Sequence, residues 1–168
     1  MGYEEHKILS KDTPVTCAVI TVSDTRTEET DKSGKLIKSM IGESGHKVTA
    51  YHIVPDEPAI ISNLLDTLST SVEVVLLNGG TGISARDNTF EAVSAKLQKT
   101  LPGFGEIFRV LSYEEIGAGA MLSRATAGLF NDTLVFSMPG STNAVRLAME
   151  KLIAPELSHL VWEIIRQK

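Results

Sequence analysis

The chain has 168 residues, of which 42% are hydrophobic, and its 16 Lys and Arg against 21 Asp and Glu give a formal net charge of −5. This length is enough for one well-buried core and short for two. Because the basic residues are scattered along an acidic chain, we expect no nucleic-acid partner.

The N-terminal segment is polar and lacks the uninterrupted apolar core of a secretory signal, and no later apolar run approaches the roughly 20 residues that span a bilayer. We therefore expect a soluble, cytoplasmic protein with no membrane partner. Residues 1–12 are predicted to form a flexible tail, loose or ordered only by a neighbouring subunit, and residues 13–168 a single domain. The only cysteine, Cys17, lies in an apolar run, where a buried and inert thiol is expected.

The first half of the chain alternates apolar and amphipathic segments. Apolar runs rich in β-branched residues predict buried strands over residues 15–22, 48–54 and 72–77. Between them we predict two helices, over residues 31–44 with caps at Asp31 and Gly45, and from residues 55–58 to about Thr70. Strands alternating with helices of this length favour a mostly parallel sheet covered on both faces.

The second half is less regular. Its predicted helices cover residues 88–98, 108–111, 139–153 and 156–166, with a glycine-containing link at 102–105 and a break at Pro155. Two short apolar runs, 126–130 and 133–138, are separated only by Asn131 and Asp132, which favours a tight hairpin. A hairpin introduces one antiparallel strand, so the sheet is predicted to be mixed.

Four polar segments follow predicted strands directly. They cover residues 21–24, 55–57, 78–87 and 139–141. Ligands of open α/β sheets bind in the crevice outside the carboxyl ends of the strands, so we expect these four loops to converge on one pocket.

The segment 78–87 carries the clearest chemical signal, a glycine-rich turn between a strand and a helix. Its glycines allow the main chain to approach a phosphate closely, with N–H groups as donors. Arg86 can clamp an oxyanion, and Asp87 can hold a divalent metal or orient a nucleophile. The predicted ligand-binding residues of this segment are Asn78, Gly79, Gly80, Thr81, Gly82 and Arg86.

Each acidic candidate has a structural alternative. Asp56 could cap the helix that begins at Glu57, could be catalytic, or could do both. Asn88 and Glu91 can supply a capping-box-like start by themselves, which leaves Asp87 available for function. Arg86 could equally be a solvated surface charge.

The remaining polar residues have ordinary explanations when taken singly. Ser23 suits a turn, Ser141 an N-cap, and Gly140 an unusual backbone angle. Asp24, Asp31 and Arg26 are expected to be caps or solvated charges outside the site. The histidines show no metal-ligand spacing, and the glycine-rich turn lacks the Lys-Ser/Thr pair of a Walker A loop.

Several segments together resemble a known family. They are NGGTG at residues 78–82 with Arg86 and Asp87, GFGEIFRVLSYEEIG at 103–117, MPGS at 138–141, VPDE at 54–57 and LSRA at 122–125. In this order and spacing they resemble the molybdenum cofactor biosynthesis protein B family, which is similar to the molybdopterin adenylyltransferases. The resemblance covers nearly the whole chain.

The resemblance implies a three-layer α/β/α fold with a mixed sheet that binds molybdopterin. In active members AMP is transferred from ATP to the terminal phosphate of the pterin, with Mg²⁺ as cofactor and release of pyrophosphate. By position, Asp56 and Asp87 would be catalytic and would organise the metal, and residues 79–82 would cradle phosphate. Ser23 would belong to the nucleotide rim, and Pro139, Gly140 and Ser141 would lie on the pterin side.

Two departures from related sequences bear on activity. Many relatives begin the glycine loop with Thr, where this chain has Asn78. The segments 124–127 and 139–143 resemble the B type more than the dedicated adenylyltransferases, so a non-catalytic molybdopterin-binding subunit or carrier remains the alternative. The resemblance also implies a homo-oligomer, trimeric or hexameric, to which the apolar C-terminal positions would contribute: Leu152, Ile153, Leu157, Leu160, Val161, Ile164 and Ile165.

Overall fold

Six strands form a single mixed sheet in the computed structural model, which describes residues 2–10 and 13–167. The strands are β1 (Thr16–Val22), β2 (Lys47–Val54), β3 (Val74–Asn78), β4 (Lys99–Thr100), β5 (Thr126–Phe130) and β6 (Thr133–Met138). Their order across the sheet is β2-β1-β3-β6-β5-β4. The first four in that order are parallel, and β5 runs antiparallel to both of its neighbours.

Helices cover both faces of this sheet. They are α1 (Tyr3–Ser10), α2 (Lys32–Glu43), α3 (Pro58–Leu68), α4 (Thr89–Ser94), α5 (Pro102–Ile116), α6 (Thr142–Ala148) and α7 (Ala154–Val161). One core joins α2, α5, α6 and α7 to the sheet, and the other joins α3 and α4 to its opposite face. The predicted three-layer α/β/α fold with a mostly parallel mixed sheet is confirmed.

Strand β1 shows why its sequence suits a central position. Successive side chains of a strand point to opposite faces, so Cys17 and Val19 enter one core while Ala18 and Ile20 enter the other. A strand buried on both faces needs an apolar residue at nearly every position. Cys17 is fully buried, and burial raises the pKa of its thiol to about 12, as expected for an inert thiol.

The predicted hairpin is confirmed by the antiparallel pairing of β5 and β6. Its two turn residues, Asn131 and Asp132, have φ values of 47° and 61°. A two-residue turn with both residues left-handed matches the twist of the flanking strands, and Asn and Asp tolerate that conformation better than other side chains do.

The second half differs from prediction in three places. Strand β4 is a two-residue edge strand that no apolar pattern in the sequence predicts. Residues 102–105, predicted to be a link, form the first turn of α5, with Pro102 at its start and Gly105 packed closely on the Ala125 carbonyl oxygen. Helix α4 ends at Ser94, four residues before the prediction, because Gln98 already donates to the Leu129 carbonyl oxygen beside β5.

Pro155 does not end the preceding helix. A wide π-helical turn, Met149–Ile153, connects α6 to α7, and the Ala154 N–H donates to the carbonyl oxygen of Met149 five residues earlier. Proline has no N–H to donate, and a π turn accommodates the interrupted ladder without breaking the helix axis.

The N-terminal segment also differs from the flexible tail that was expected. It is helical as α1 and packs on α7 of the same chain through Tyr3 and Lys7, which donate to the Glu156 carboxylate at 2.6 and 2.7 Å. These polar contacts join residues that are far apart in the sequence, so no apolar periodicity in the sequence indicates them. Met1, Lys11 and Asp12 lie outside the described residues.

None of the helices in the described part of the chain combines the length and the apolarity that crossing a bilayer requires.

Candidate functional site

The four predicted loops lie at the carboxyl ends of the parallel strands, but they do not all reach one pocket: residues of 78–87 and 139–141 line it, and residues 21–24 and 55–57 do not. The Ser23 N–H donates to the carbonyl oxygen of Val54 at 2.8 Å, which joins the ends of β1 and β2. The Gly79 N–H donates to the carbonyl oxygen of Met138 at 2.9 Å, which joins β3 to β6. A Cβ placed on Gly140 would stand 3.1 Å from the Gly79 Cα, so these two turns touch through their backbones.

A pocket of about 320 Å³ opens at this convergence. One wall is made by the turns after β3 and β6: Gly80, Thr81, Gly82, Pro139, Gly140 and Ser141. The facing wall comes from α5 and the 3₁₀ turn Gly117–Leu122: Phe108, Ser112, Ile116, Gly119, Ala120 and Leu122. Asp87 lies on the rim between them.

The glycine-rich turn presents backbone donors to this pocket. Gly79 and Gly80 have φ values of +107° and +65°, which L side chains rarely adopt. Within the part of the chain that the structure describes, the N–H groups of Gly80, Thr81 and Gly82 donate to no protein acceptor. Successive N–H groups of a turn form an anion-binding concavity.

Asp56 is only 6% exposed, and it does not cap its own helix. Its two carboxylate oxygens accept from the Asn88 N–H at 3.1 Å and from the Thr89 hydroxyl at 3.2 Å, at the start of α4. Burial raises the pKa of Asp56; these two hydrogen bonds oppose the rise, and the charges of Asp87 and Asp24 add to it. Asp56 is thus a buried carboxylate with carboxylate neighbours.

Asp87 closes the loop that precedes α4. Its carboxylate accepts from the Ser84 N–H at 3.0 Å and from the Ser84 hydroxyl at 2.5 Å. A Cβ added to Gly82 would lie 2.7 Å from the Asp87 carboxylate. A Cβ added to Gly80 would collide with the Asp56 carboxylate. Both carboxylates therefore lie close to the backbone of the Gly80–Gly82 turn.

These two acids form a pair and not a larger cluster. Among the described residues, no group of three or more His, Cys, Asp or Glu side chains is arranged to hold a metal ion. Mg²⁺ commonly takes only one or two protein carboxylates and completes its shell with water and substrate phosphate. Two acids beside a phosphate-sized turn fit that mode of binding.

Arg86 does not point at the pocket. Its guanidinium donates through Nε and Nη2 to Asp24 at 2.8 and 2.6 Å, and lies 3.5 Å from the Glu57 carboxylate. The hydrogen bonds from Arg86 lower the pKa of Asp24. The side chain is 60% exposed, so the pair is accessible to a competing anion.

Ser23 and Ser141 have the ordinary contacts that their sequence positions suggested, whereas Gly140, for which an unusual backbone angle was expected, does not have a positive φ. The Ser23 hydroxyl accepts from the N–H groups of Thr25 and Arg26, as a turn residue does. The Ser141 hydroxyl accepts from the Ala144 N–H at 3.2 Å and caps α6. The Gly140 carbonyl oxygen accepts from Arg26 at 2.9 Å and from the Ser33 hydroxyl at 2.8 Å.

Asn78 lies beneath the pocket, fully buried and outside its lining. Its side-chain amide donates to the Thr21 hydroxyl at 2.9 Å, which in turn donates to the Asp31 carboxylate at 2.5 Å. Tyr51 donates to the same carboxylate at 2.6 Å, and the Arg26 guanidinium lies 3.6 Å from it. Asp31 is the predicted N-cap of α2, but this buried network replaces the solvated surroundings expected for Asp31 and Arg26.

Sequence reasoning missed the wall formed by α5 and the 3₁₀ turn. Ser112, Ile116 and Leu122 line the pocket, although their segments entered the argument only as family-like motifs. Ile116 and Leu122 are 64% and 51% exposed, and because this exposure becomes visible only in the fold, no sequence pattern marked them.

Comparison with known proteins decides the family. A family model described as "Probable molybdopterin binding domain" matches residues 18–159. The molybdenum cofactor biosynthesis protein B of Bacillus subtilis (strain 168) is 56% identical over the full length of both chains. The chain belongs to the molybdenum cofactor biosynthesis protein B family.

Solved structures of this family are similar over almost the whole chain. A crystal structure of a molybdenum cofactor biosynthesis protein B, 55% identical, covers 92% of this chain and 98% of its own with a TM-score of 0.88. The tungsten cofactor synthesizing protein MoaB from Pyrococcus furiosus is 38% identical, covers 90% of this chain and 98% of its own, and has a TM-score of 0.81. The molybdopterin biosynthesis Mog protein from Mycobacterium ulcerans is 28% identical, covers 91% and 98%, and also has a TM-score of 0.81.

Proposed function

We propose that this chain binds molybdopterin in the pocket and adenylylates it with ATP and Mg²⁺, releasing pyrophosphate. The observation that carries the proposal is the set of N–H groups from Gly80, Thr81 and Gly82, which have no protein acceptor in the described residues and belong to a turn that lies close to two acids. A phosphorylated ligand supplies the acceptor for these donors.

The reaction requires two anions to meet. An oxygen of the pterin phosphate attacks the α-phosphorus of ATP, the new P–O bond forms, and the bond to the β-phosphate oxygen breaks as pyrophosphate departs. No covalent enzyme intermediate is needed. Bound Mg²⁺ supplies the positive charge that offsets repulsion between the phosphates. The turn at Gly80–Gly82 holds phosphate oxygens with backbone dipoles that are already oriented.

Asp56 and Asp87 are the residues that we assign to the metal. The pKa of Asp56 is raised by burial and by the neighbouring Asp87 and Asp24 charges, which supports a cation-binding role for this carboxylate. Asp56 and Asp87 would hold a divalent ion, whose charge would offset the repulsion between these charges. Arg86 would release Asp24 and contact phosphate instead. The rim of the pocket would be formed by Ser23, Pro139, Gly140 and Ser141.

The test is ATP- and Mg²⁺-dependent release of pyrophosphate in the presence of molybdopterin. Asp87→Ala is expected to lower turnover roughly 100-fold, about 2.7 kcal/mol, and to leave folding largely intact. Asp66→Ala removes an acid on α3 that pairs with Lys96, and serves as the matched control with unchanged turnover. Unfolding of Asp87→Ala would instead assign this acid to loop closure through Ser84.

A non-catalytic molybdopterin carrier is the second candidate. It is favoured by the hydrogen bonds that already engage both acids, to Asn88 and Thr89 for Asp56 and to Ser84 for Asp87. A folded wild-type protein that binds molybdopterin without releasing pyrophosphate would establish the carrier and exclude the adenylyltransferase. A protein that binds no molybdopterin would contradict both.

We also propose a homo-oligomer, trimeric or hexameric, but through a different surface from the C-terminal residues. Ile153, Leu157 and Val161 are fully buried in the core, and the other C-terminal apolar residues pack against it. Six exposed large apolar side chains lie together on α5 and the turn after it: Ile107, Val110, Tyr113, Ile116, Met121 and Leu122. Val110→Glu is expected to lower the mass measured by light scattering, and a monomeric wild type would contradict the proposal.

A further inference from the structure

Arg124 stands behind the glycine-rich turn and outside the pocket lining. Its backbone N–H donates to the carbonyl oxygen of Thr81 at 3.0 Å. Its guanidinium donates to the carbonyl oxygen of Gly82 at 2.9 Å and to that of Asp87 at 3.1 Å. One residue therefore binds both ends of the loop that runs from Thr81 to Asp87.

The guanidinium is itself held in place. It forms an ion pair with Glu91 on α4, and it stacks over the Phe90 ring with the guanidinium carbon 4.8 Å from the ring centroid. The side chain is only 25% exposed. Four of its five N–H donors are used by Gly82, Asp87 and the two Glu91 oxygens, so it has little capacity left for a ligand.

We infer that Arg124 is a positioning residue that holds the Thr81–Asp87 loop in its phosphate-binding conformation before any ligand arrives. The inference rests on the proposed function, because the loop is the element that we assign to phosphate. A glycine-rich segment loses more conformational entropy on ordering than other sequences do. A loop that is already ordered loses less conformational entropy when the ligand binds, so the ligand binds more tightly.

The planar guanidinium explains why arginine occupies this position. Two carbonyl oxygens and a carboxylate lie around it, and a rigid fork can donate to all of them at once. A lysine ammonium keeps the charge but cannot reach both ends of the loop in one geometry. Arg124→Lys is therefore the informative variant, because it separates the shape of the side chain from its charge.

Hydrogen exchange in the ligand-free protein tests directly whether Arg124 keeps the loop ordered. Arg124→Lys is expected to speed exchange of the hydrogen-bonded loop amides, those of Ser84 and Asp87, roughly tenfold while β1 and β3 keep wild-type rates. Binding of molybdopterin is expected to weaken about tenfold, and saturating molybdopterin is expected to restore loop protection. Arg146→Lys makes the same chemical change at an exposed pair with Glu150, and should change neither quantity.

Each other outcome is decisive. Unchanged loop exchange in Arg124→Lys overturns the inference, and so does faster exchange spread equally over β1 and β3, which would make Arg124 a residue of global stability. A wild type that binds no molybdopterin defeats the proposed function, yet the exchange comparison in the free protein still decides whether Arg124 holds the loop.

Discussion

Asp31 and Asp56 are buried carboxylates at the same end of the sheet, but their surroundings are opposite. Asp31 accepts from Thr21, Tyr51 and the Gly34 N–H, with Arg26 beside it. Burial alone would raise the pKa of Asp31, but these hydrogen bonds and the Arg26 charge lower it. Asp56 accepts from two donors, forms no ion pair within the described part of the chain, and has a pKa that is raised by burial and by the charges of nearby acids.

This difference distinguishes Asp31, an acid that stabilises the fold, from Asp56, an acid that is available to bind a ligand. A carboxylate whose charge is satisfied within the chain stabilises the fold and has little affinity left for a metal. A carboxylate whose charge is unfavourable in the free protein gains most when a cation binds. Perturbed acids of the second kind cluster at functional sites, which is why we assign Asp56, and not Asp31, to the reaction.

The largest expected effect is on Asp31. Asp31→Asn places an amide donor among the Thr21 and Tyr51 hydroxyls and leaves Arg26 without its charge partner, so the free energy of unfolding should fall by about 3 kcal/mol. Urea denaturation measures it. A loss below about 1 kcal/mol would mean that the network is readily rearranged.

Asp56→Asn should lower turnover far more than it lowers stability. Turnover is expected to drop roughly 100-fold, about 2.7 kcal/mol, because the metal loses a ligand. The free energy of unfolding should change by less than about 1 kcal/mol, because the charge repulsion with Asp87 and Asp24 is removed along with part of the hydrogen bonding. If stability instead falls as far as in Asp31→Asn, the distinction between the two acids is wrong.

Tyr51→Phe refines the description of the Asp31 network. It removes one donor to a buried carboxylate and keeps the ring, so a loss of about 1 kcal/mol is expected in urea denaturation. Tyr113→Phe is the matched control, because its ring is 63% exposed on α5, and its stability should match wild type. Equal losses in the two variants would show that the Asp31 contact is not the cause.

The pH dependence of stability should be the smallest effect, and its sign should differ between the two acids. The folded-state pKa of Asp56 is raised, so wild type should gain stability relative to Asp56→Asn as pH falls from 7 through that pKa towards the unfolded value near 3.9. The folded-state pKa of Asp31 is lowered, so its contribution is present above about pH 3.9 and lost below it. Urea denaturation of wild type and both variants between pH 3 and 7 measures these differences, and parallel curves would contradict them.

Much of the fold follows from local pattern. Strands buried on both faces, the Asn131-Asp132 turn and the Asp31 cap are all set by residues near one another in sequence. What the pattern missed depends on distant contacts. Strand β4 exists only because Lys99 and Thr100 pair with β5, and Pro155 stays in a helix only because a π turn precedes it.

The same limit applies to the site. The position of the four loops at one end of the sheet follows from its parallel strands, so it was predictable from the alternation of strands and helices, although only 78–87 and 139–141 line the pocket. Arg86 was expected to face an anion, but its partner Asp24 is 62 positions away in sequence and becomes visible only in the fold. Asn78 was expected in the loop lining, but its register on β3 turns it beneath the sheet's edge towards Thr21 on β1.

The contact between Gly79 and Gly140 has a consequence for redesign. One side of the cavity is formed mainly by the glycine-containing turns, and a methyl group on Gly140 would lie 3.1 Å from the Gly79 Cα, so one turn would have to shift. The width of the cavity there is set mainly by the spacing of these two backbones. Attempts to admit a bulkier or smaller pterin should therefore alter Ser112, Ile116 or Leu122 on the opposite side, where a changed side chain meets space and not backbone.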